Sequence, residues 1–234
     1  GRAIVNFVVL DQYEHIAAIL DVADIVEGRY VVTVTRRGQI KKTELTEYRN
    51  YRETGLIAVR IDEGDELLSV ALTHGDSELL VGTKNGSSIH FSEEDVRPMG
   101  RATMGVKAID LADGDSVVGL AVYHPSHERD QLLTVCELGY GKRTTIDKFP
   151  TQRRGGKGVI MIDASERNGP VVGLGLVSET DQLLVITNAG QTLRTSIAEI
   201  RETGRNAQGV AIMRVAEGER TVAIEIFAAE DDED

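Results

Sequence analysis

The chain has 234 residues, 41% of them hydrophobic and 4% aromatic, with a formal net charge of −12. This composition predicts a folded, soluble protein with neither a membrane-spanning helix nor a signal peptide, because no apolar run approaches ~18 residues. A single cysteine, Cys136, excludes an internal disulfide and fits a reducing compartment, so we expect a cytoplasmic protein.

The negative charge is unevenly distributed along the chain. The last five residues, 230–234, are all acidic and form a solvated tail by composition. Between Gly139 and Gly158, in contrast, six cations stand against one acid, Asp147. A second basic cluster comprises Arg36, Arg37, Lys41 and Lys42. An acidic average therefore does not exclude a nucleic-acid partner, because a basic stripe can lie on an acidic protein.

The chain repeats itself at intervals of about fifty residues, the range of repeat architectures. The clearest marker is a glycine that opens an apolar strand, found at Gly1, Gly55, Gly105, Gly158 and Gly209. One half repeat (1–27) and four complete repeats (28–77, 78–129, 130–180 and 181–229) therefore precede the acidic tail at 230–234, and residues 1–229 form one domain.

Each complete repeat has the same internal order. An apolar strand comes first and is followed by a glycine turn typical of a β-hairpin, at Gly38, Gly86, Gly139 and Gly190. A second strand, a polar connection, the glycine-opened strand and a last strand complete the unit. Four strands per repeat without a helical period predict an all-β fold, a propeller-like array of four-stranded blades. A solenoid is the weaker alternative, since solenoid repeats are usually shorter.

The stretch from Gln152 to Gly158 reads Gln-Arg-Arg-Gly-Gly-Lys-Gly and combines three cations with three glycines. Such a sequence predicts an exposed loop rather than a helix or a core strand. Glycines allow backbone N–H groups to approach an anion, and the cations add charge, which suits a surface lined by phosphates. The alternative for this stretch alone is a solvated basic turn.

Cations recur at two positions in successive repeats. Four residues before the strand-opening glycine stand Arg101, Arg154 and Arg205, with Tyr51 as the exception in the first repeat. Four residues after the hairpin glycine stand Lys42, His90, Arg143 and Arg194. Equivalent positions lie on the same edge of a repeat array, so these cations predict a basic track for phosphates, without base-specific reading. The alternative is solvated charge that protects strand edges from aggregation.

These residues resemble a known family, the C-terminal domain of DNA gyrase A. The stretch Gln152 to Gly158 looks identical to the GyrA box of that family, and the segments GYGKRTTIDKFP and VRPMGRATMGVKAI look like its other blades. The resemblance implies a β-pinwheel, in which neighbouring blades exchange strands and duplex DNA bends around a basic rim. It also implies a module without catalytic groups, belonging to an ATP-dependent type II topoisomerase formed with the rest of gyrase A and with gyrase B.

Two departures from the family pattern matter. The family domain usually has six blades with its box in the first. Here the chain opens halfway through a repeat, and the box lies in the third complete repeat, where some members carry a second copy. The resemblance therefore implies a partial domain. The corresponding C-terminal domain of topoisomerase IV has similar blades but usually lacks a full box, so the box favours gyrase.

The resemblance thus implies a DNA-wrapping module that helps the holoenzyme to introduce negative supercoils, and a protein-interaction propeller is the alternative from another class. We expect no metal, no cofactor and no catalytic residue, because no set of thiols or carboxylates completes a metal shell with His124 and His127 and no phosphate-binding loop is complete. The candidate DNA-binding residues are Gln152, Arg153, Arg154, Gly155, Gly156, Lys157, Gly158, Lys41, Lys42, Arg101, Lys142, Arg143, Arg194 and Arg205.

Overall fold

The computed structural model describes residues 14–50, 55–126 and 128–228. Fifteen strands in these ranges form four antiparallel sheets. The strands are β1 Tyr30–Thr35, β2 Gln39–Glu44, β3 Leu67–Thr73, β4 Glu78–Thr83, β5 Ser87–Ser92, β6 Val106–Lys107, β7 Val117–Tyr123, β8 Gln131–Cys136, β9 Tyr140–Thr145, β10 Val159–Ile160, β11 Val171–Val177, β12 Gln182–Thr187, β13 Thr192–Ser196, β14 Val210–Ala211 and β15 Thr221–Phe227.

The predicted hairpins form the centre of each sheet, as β1–β2, β4–β5, β8–β9 and β12–β13. Their turn glycines all have a positive φ, for example +81° at Gly38 and +79° at Gly139. Only glycine adopts this conformation without strain, which explains why the residue recurs at this place in the hairpin loop. The four apolar first strands are nearly continuous hydrophobic runs because they are covered on both faces.

The glycine-opened strands join a different sheet from the rest of their repeat. The sheet orders are β3-β1-β2-β6, β10-β5-β4-β7, β11-β8-β9-β14 and β13-β12-β15. In the first three sheets the fourth strand is therefore donated by the following repeat: β6 pairs with β2, β10 with β5 and β14 with β9. The predicted all-β fold of four-stranded blades is confirmed, and the fourth sheet has three strands within the described residues.

Short 3₁₀ turns follow the second strand of each hairpin, at Leu45–Tyr48, Glu93–Asp95, Ile146–Lys148 and Ile197–Glu199. The first residue of each turn is buried. These turns direct the chain across to the neighbouring sheet, where the polar connection and the donated strand dock.

The core lies between successive sheets rather than inside them. Three clusters fill these spaces, and one of them joins Val32 and Ile40 of the first repeat to Leu79 and Phe91 of the second, all fully buried. Each such side chain contributes roughly 1.5–3 kcal/mol by leaving water. Because each sheet packs against its neighbours in chain order, equivalent residues of successive repeats occupy equivalent places in the array.

Some of the predictions lie outside the described residues. They are the strand opened by Gly1 and the rest of residues 1–13, Tyr51, His127, and the acidic tail at 230–234.

Candidate nucleic-acid interface

The predicted box, Gln152–Gly158, is an irregular turn directly before β10. Its backbone is bonded to the preceding repeat, because Gln152 N–H donates to the His90 carbonyl at 2.7 Å and Gly155 N–H donates to the Ala108 carbonyl at 2.6 Å. We predicted backbone N–H groups that face an anion. That prediction is wrong for Gly155, whose N–H group is used inside the protein.

The last glycine of the box, Gly158, serves a close backbone contact. Gly155 and Gly158 have φ values of +81° and +74°. A Cβ atom on Gly158 would lie 2.2 Å from the Ser88 carbonyl oxygen, and one on Gly209 would lie 2.3 Å from the Gly141 carbonyl oxygen. No real Cβ atom tolerates such a distance, so the glycine before each donated strand is required for docking on the preceding sheet.

The cations of the box differ in exposure. Arg153 and Lys157 are exposed, whereas Arg154 is half-buried. The Arg154 guanidinium donates from Nε to the Asp95 carbonyl at 2.9 Å and from Nη1 to the Lys107 carbonyl at 3.0 Å. Arg154 therefore joins its own repeat to the preceding one while its charge stays near the surface.

The arginines at the same position in the neighbouring repeats make the same bond. Arg101 Nη1 donates to the Ile57 carbonyl and Arg205 Nη1 to the Ile160 carbonyl, both at 2.9 Å. In each case, as for Arg154, the acceptor lies two residues after the strand-opening glycine of the preceding repeat. A guanidinium has five donors, so each half-buried arginine keeps donors available for phosphate oxygens.

Of the cations after the hairpin glycine, Lys42 and Arg143 are buried, which corrects the prediction that these two contact DNA. Lys42 is 4% exposed, and its Nζ donates to the Glu93 carbonyl at 3.1 Å and lies 3.6 Å from the Glu93 carboxylate. Arg143 is 6% exposed and donates to the Ile200 carbonyl at 2.6 Å and to the Glu179 carboxylate at 2.8 Å. Both side chains are covered because the next repeat packs over this strand position.

His90 occupies the same position in the second repeat and is also buried. Its Nδ1 donates to the Phe149 carbonyl at 2.9 Å, and its Nε2 lies 2.7 Å from the Glu78 carboxylate. At each of these three junctions the recurring side chain bonds a backbone carbonyl in or directly after the 3₁₀ turn of the next repeat. The recurrence is therefore a device that joins the repeats.

Lys41 and Lys142 are also buried, each 1% exposed, so they do not contact DNA directly either. Lys142 Nζ donates to the Gly204 and Arg205 carbonyls at 2.6 and 2.5 Å, and Lys41 Nζ donates to the Arg101 carbonyl. Burial, reinforced by the nearby arginine, lowers the pKa of each lysine from 10.5 to about 8. The four predicted cations Lys41, Lys42, Lys142 and Arg143 thus have internal roles.

Arg194 is exposed, although it stands at the same position as Arg143. Its guanidinium donates to the Gln182 side chain and lies over the Phe227 ring, 4.8 Å from the centroid. No strand in the described part of the chain covers this side of β13.

The structure adds two basic residues that the sequence analysis missed. Lys107 is exposed and adjoins the box, since its main chain and side chain are the nearest atoms to a Cβ built on Gly155. Its Nζ lies 2.8 Å from the Asp110 carboxylate and lowers the pKa of that group, by hydrogen bonding and charge. Arg97, also exposed, lines a surface groove together with Arg154. Lys107 could have been found from the implied strand exchange, because this exchange brings β6, the donated strand of the second repeat, beside the box.

Neither a metal centre nor a membrane span is found in the described ranges. No three His, Cys, Asp or Glu side chains there are arranged to hold a metal ion, and no helix there is long and apolar enough to cross a membrane. Cys136 is fully buried, and burial raises the pKa of its thiol to about 12, which makes it a poor nucleophile.

Comparison with known proteins gives consistent matches over the repeats. The model of the DNA gyrase C-terminal domain, a β-propeller family, matches residues 29–74, 77–123, 130–178 and 181–228. DNA gyrase A of Escherichia coli is 44% identical over 234 residues, which is all of this chain and 26% of that protein. DNA gyrase A of Salmonella typhimurium is 45% identical over 228 residues, 97% of this chain and 26% of that protein. The chain thus spans about a quarter of the length of these relatives.

Two solved structures are similar over nearly the whole chain. The C-terminal domain of DNA topoisomerase IV matches with a TM-score of 0.90 at 26% identity, over 99% of this chain and 72% of that one. The DNA gyrase A C-terminal domain matches with a TM-score of 0.85 at 28% identity, over 97% of this chain and 75% of that one.

Proposed function

The chain belongs to the DNA gyrase C-terminal domain family, and from this premise we propose that it is a non-catalytic module of DNA gyrase A that binds and bends duplex DNA. The DNA follows the edge of the array that carries the turns before the donated strands. Contacts are made to phosphates without reading the base sequence.

One observation carries this proposal. Arg101, Arg154 and Arg205 stand in equivalent turns of three successive repeats, and each bonds the equivalent carbonyl of the repeat before it. Half-buried guanidinium groups at a regular spacing form a row of fixed positive charge. Phosphate contacts of this kind position a duplex, and curvature follows when the row itself curves with the array.

Exposed cations next to the row complete the proposed interface. Arg153 and Lys157 belong to the box, and Lys107 and Arg97 lie beside it on the preceding repeat. The third repeat therefore presents the densest positive charge, and we propose that DNA is anchored there most strongly. Arg194 extends the interface onto the fourth repeat.

In the complete enzyme this module presents a bent DNA segment to the other domains. We propose that it acts in the cytoplasm with the rest of gyrase A and with gyrase B, which supply the chemistry of strand cleavage and ATP hydrolysis. Wrapping of the DNA with one handedness biases strand passage towards negative supercoils.

The similarity to the topoisomerase IV domain supports a second candidate, a module of that enzyme. The complete box at Gln152–Gly158 and the 44% identity to DNA gyrase A of Escherichia coli favour gyrase. We propose that the gyrase module wraps DNA, and ligation of a nicked plasmid in the presence of the protein tests this property. The gyrase module gives closed circles with a changed linking number, and a module that binds without wrapping leaves the linking number unchanged.

The direct test is binding to duplexes of two lengths at low salt, with fluorophores at both DNA ends. We expect tighter binding to a duplex of about 100 base pairs than to one of about 30, and increased energy transfer between the ends of the longer one, because bending needs several separated anchors. Absence of any mobility shift with either duplex would contradict the proposal and favour a protein-interaction propeller.

A further inference from the structure

The turns that present Arg101 and Arg205 are supported differently from the box. The third residue of the second hairpin strand lies beneath the turn of the next repeat, and this residue is Lys41 in β2, Ile89 in β5 and Lys142 in β9. All three side chains are at least 99% buried. Two lysines and one isoleucine thus fill equivalent places under three equivalent turns.

Each lysine bonds the carbonyl of the arginine above it. Lys142 Nζ donates to the Arg205 carbonyl at 2.5 Å and to the adjacent Gly204 carbonyl at 2.6 Å. Lys41 Nζ donates to the Arg101 carbonyl, and to the Ala58 carbonyl at 3.0 Å. A buried ammonium group needs such acceptors, and the carbonyls are in turn held in one direction.

Within the described residues no lysine lies beneath the box turn, whose Gly156 carbonyl accepts instead from the Asp110 backbone N–H at 2.8 Å. Ile89 is apolar, and its Cδ1 lies 3.7 Å from a Cβ built on Gly156, so the turn rests on a hydrocarbon side chain. The box carries three cations on its own sequence, whereas the turns 100–105 and 204–209 each carry only one. The lysine adds a second positive charge to each of these turns from inside the protein.

We propose that Lys41 and Lys142 are positioning residues for DNA binding, which hold the turns of Arg101 and Arg205 from beneath. Each lysine also adds an internal positive charge to its turn, whereas the box turn carries its additional charge on its surface. This inference rests on the proposed DNA binding. DNA binding at the turns of the second and fourth repeats should therefore depend on pH, whereas DNA binding at the box should not.

The groups facing each lysine give the direction of that dependence. Lys142 faces Arg205 and the Cys136 thiol, which is neutral because its pKa is about 12. Lys41 faces Arg101, and the Tyr48 hydroxyl shares the Ala58 carbonyl at 3.5 Å. Burial, followed by the charge of the nearby arginine, lowers the pKa of each lysine to about 8, and no carboxylate among these described neighbours opposes it. DNA phosphates near the turn favour the charged form, and binding therefore takes up protons at pH slightly above this value.

The experiment is calorimetric titration of the chain with duplex DNA at about pH 8.5, in two buffers of different ionisation enthalpy. The variants are Lys41→Met, Lys142→Met and the double variant, with Ile89→Met as the matched control at the box turn. Folding is checked by circular dichroism, and the wild-type measurement needs no variant at all.

We expect proton uptake in the wild type and in Ile89→Met, about half of it in each single variant, and none in the double variant. At about pH 7 the double variant should bind on the order of tenfold more weakly, because two charges near the phosphates are lost. Binding by the wild type without proton uptake, or a folded double variant with unchanged uptake, would overturn this inference alone. If the wild type binds no DNA at either pH, the proposed function falls and this inference falls with it.

Discussion

Arg143 in the third sheet and Arg194 in the fourth occupy the same position of the repeat but have opposite environments. Each stands four residues after a hairpin glycine, opposite a leucine of the first hairpin strand. Each guanidinium also donates to the glutamine that begins that first strand. Yet Arg143 is 6% exposed, whereas Arg194 is exposed.

The next repeat makes the difference. The fourth repeat donates β14 to the third sheet and places the Ile200 carbonyl 2.6 Å from Arg143 Nε. No described strand does the same for β13, so Arg194 keeps its charge at the surface and lies over the Phe227 ring. A recurring cation therefore marks a repeat position, while its role depends on what packs over that position.

The largest expected effect comes from truncating the two arginines in turn. Arg143→Ala leaves the Ile200 carbonyl and the Gln131 amide without a donor, so we expect a loss of about 2–4 kcal/mol in unfolding free energy. Arg194→Ala removes an exposed contact and should cost less than about 1 kcal/mol. Urea unfolding measures both, and equal losses would show that the next repeat does not create the difference.

The surface cations of the third repeat, unlike its buried Arg143, should affect DNA binding and DNA bending. Replacement of Arg153, Arg154 and Lys157 by alanine should weaken DNA binding by roughly 2 kcal/mol, since exposed charge contacts are partly screened. Bending should suffer more than affinity, because a curved duplex must be pinned at separated points and bending costs on the order of 1–6 kcal/mol.

The measurement is energy transfer between the ends of a doubly labelled duplex, alongside binding affinity. Arg214→Ala, an exposed cation away from the box, serves as the control. If the triple variant still brings the DNA ends together as the parent does, the box is not a wrapping anchor.

The third prediction concerns Lys142→Leu. This substitution replaces the internal lysine of the third sheet by the residue type found at the equivalent position of the fourth sheet. The folded-state pKa of Lys142 is about 8 and its ordinary value 10.5. Between these values the unfolded chain binds more protons than the folded one, so the unfolding free energy of the wild type rises with pH relative to the variant. The slope is at most about 1.4 kcal/mol per pH unit.

Urea unfolding of both proteins at several pH values between about 7.5 and 10 tests this sign. Leu193 makes the replacement reasonable, because leucine already occupies this strand position in the fourth repeat. A constant stability difference across this range would show that Lys142 keeps an ordinary pKa.

The smallest effect concerns the salt dependence of DNA binding. Affinity should fall with salt at a log–log slope steeper than about −3, with each phosphate contact contributing about −0.9. Arg194→Ala should make the slope shallower by roughly one contact, whereas Arg36→Ala, at a hairpin turn, should leave it unchanged. A flat response of the wild type between about 50 and 200 mM salt would contradict a row of phosphate contacts.

Much of the fold followed from the sequence because its signals are local. The hairpin glycines at Gly38 and Gly139 sit between apolar strands, and a positive φ at that place is a property of the turn itself. The repeat period and the box were likewise readable as patterns, and the box correctly identified the family. Arg101, Arg154 and Arg205 were correctly grouped as equivalent positions, since repetition in sequence gives repetition in space.

The kind of strands, the order of the repeats and the family can therefore be read from the sequence. The strand predicted at Gly55 is not formed, because no sheet of the described residues lies before it to pair with it. Strand exchange between neighbouring blades was implied by the family resemblance, and the sheet orders agree with it. The position of Lys107 beside the box and the burial of Lys41, Lys42, Lys142 and Arg143 are visible only in the folded structure. The physical reason is that turn and strand preferences act between neighbours along the chain, whereas exposure depends on surfaces contributed by residues fifty or more positions away, such as the Ile200 carbonyl over Arg143, 57 residues apart. A cation at a regular interval has the same sequence signal whether it faces DNA or the next repeat.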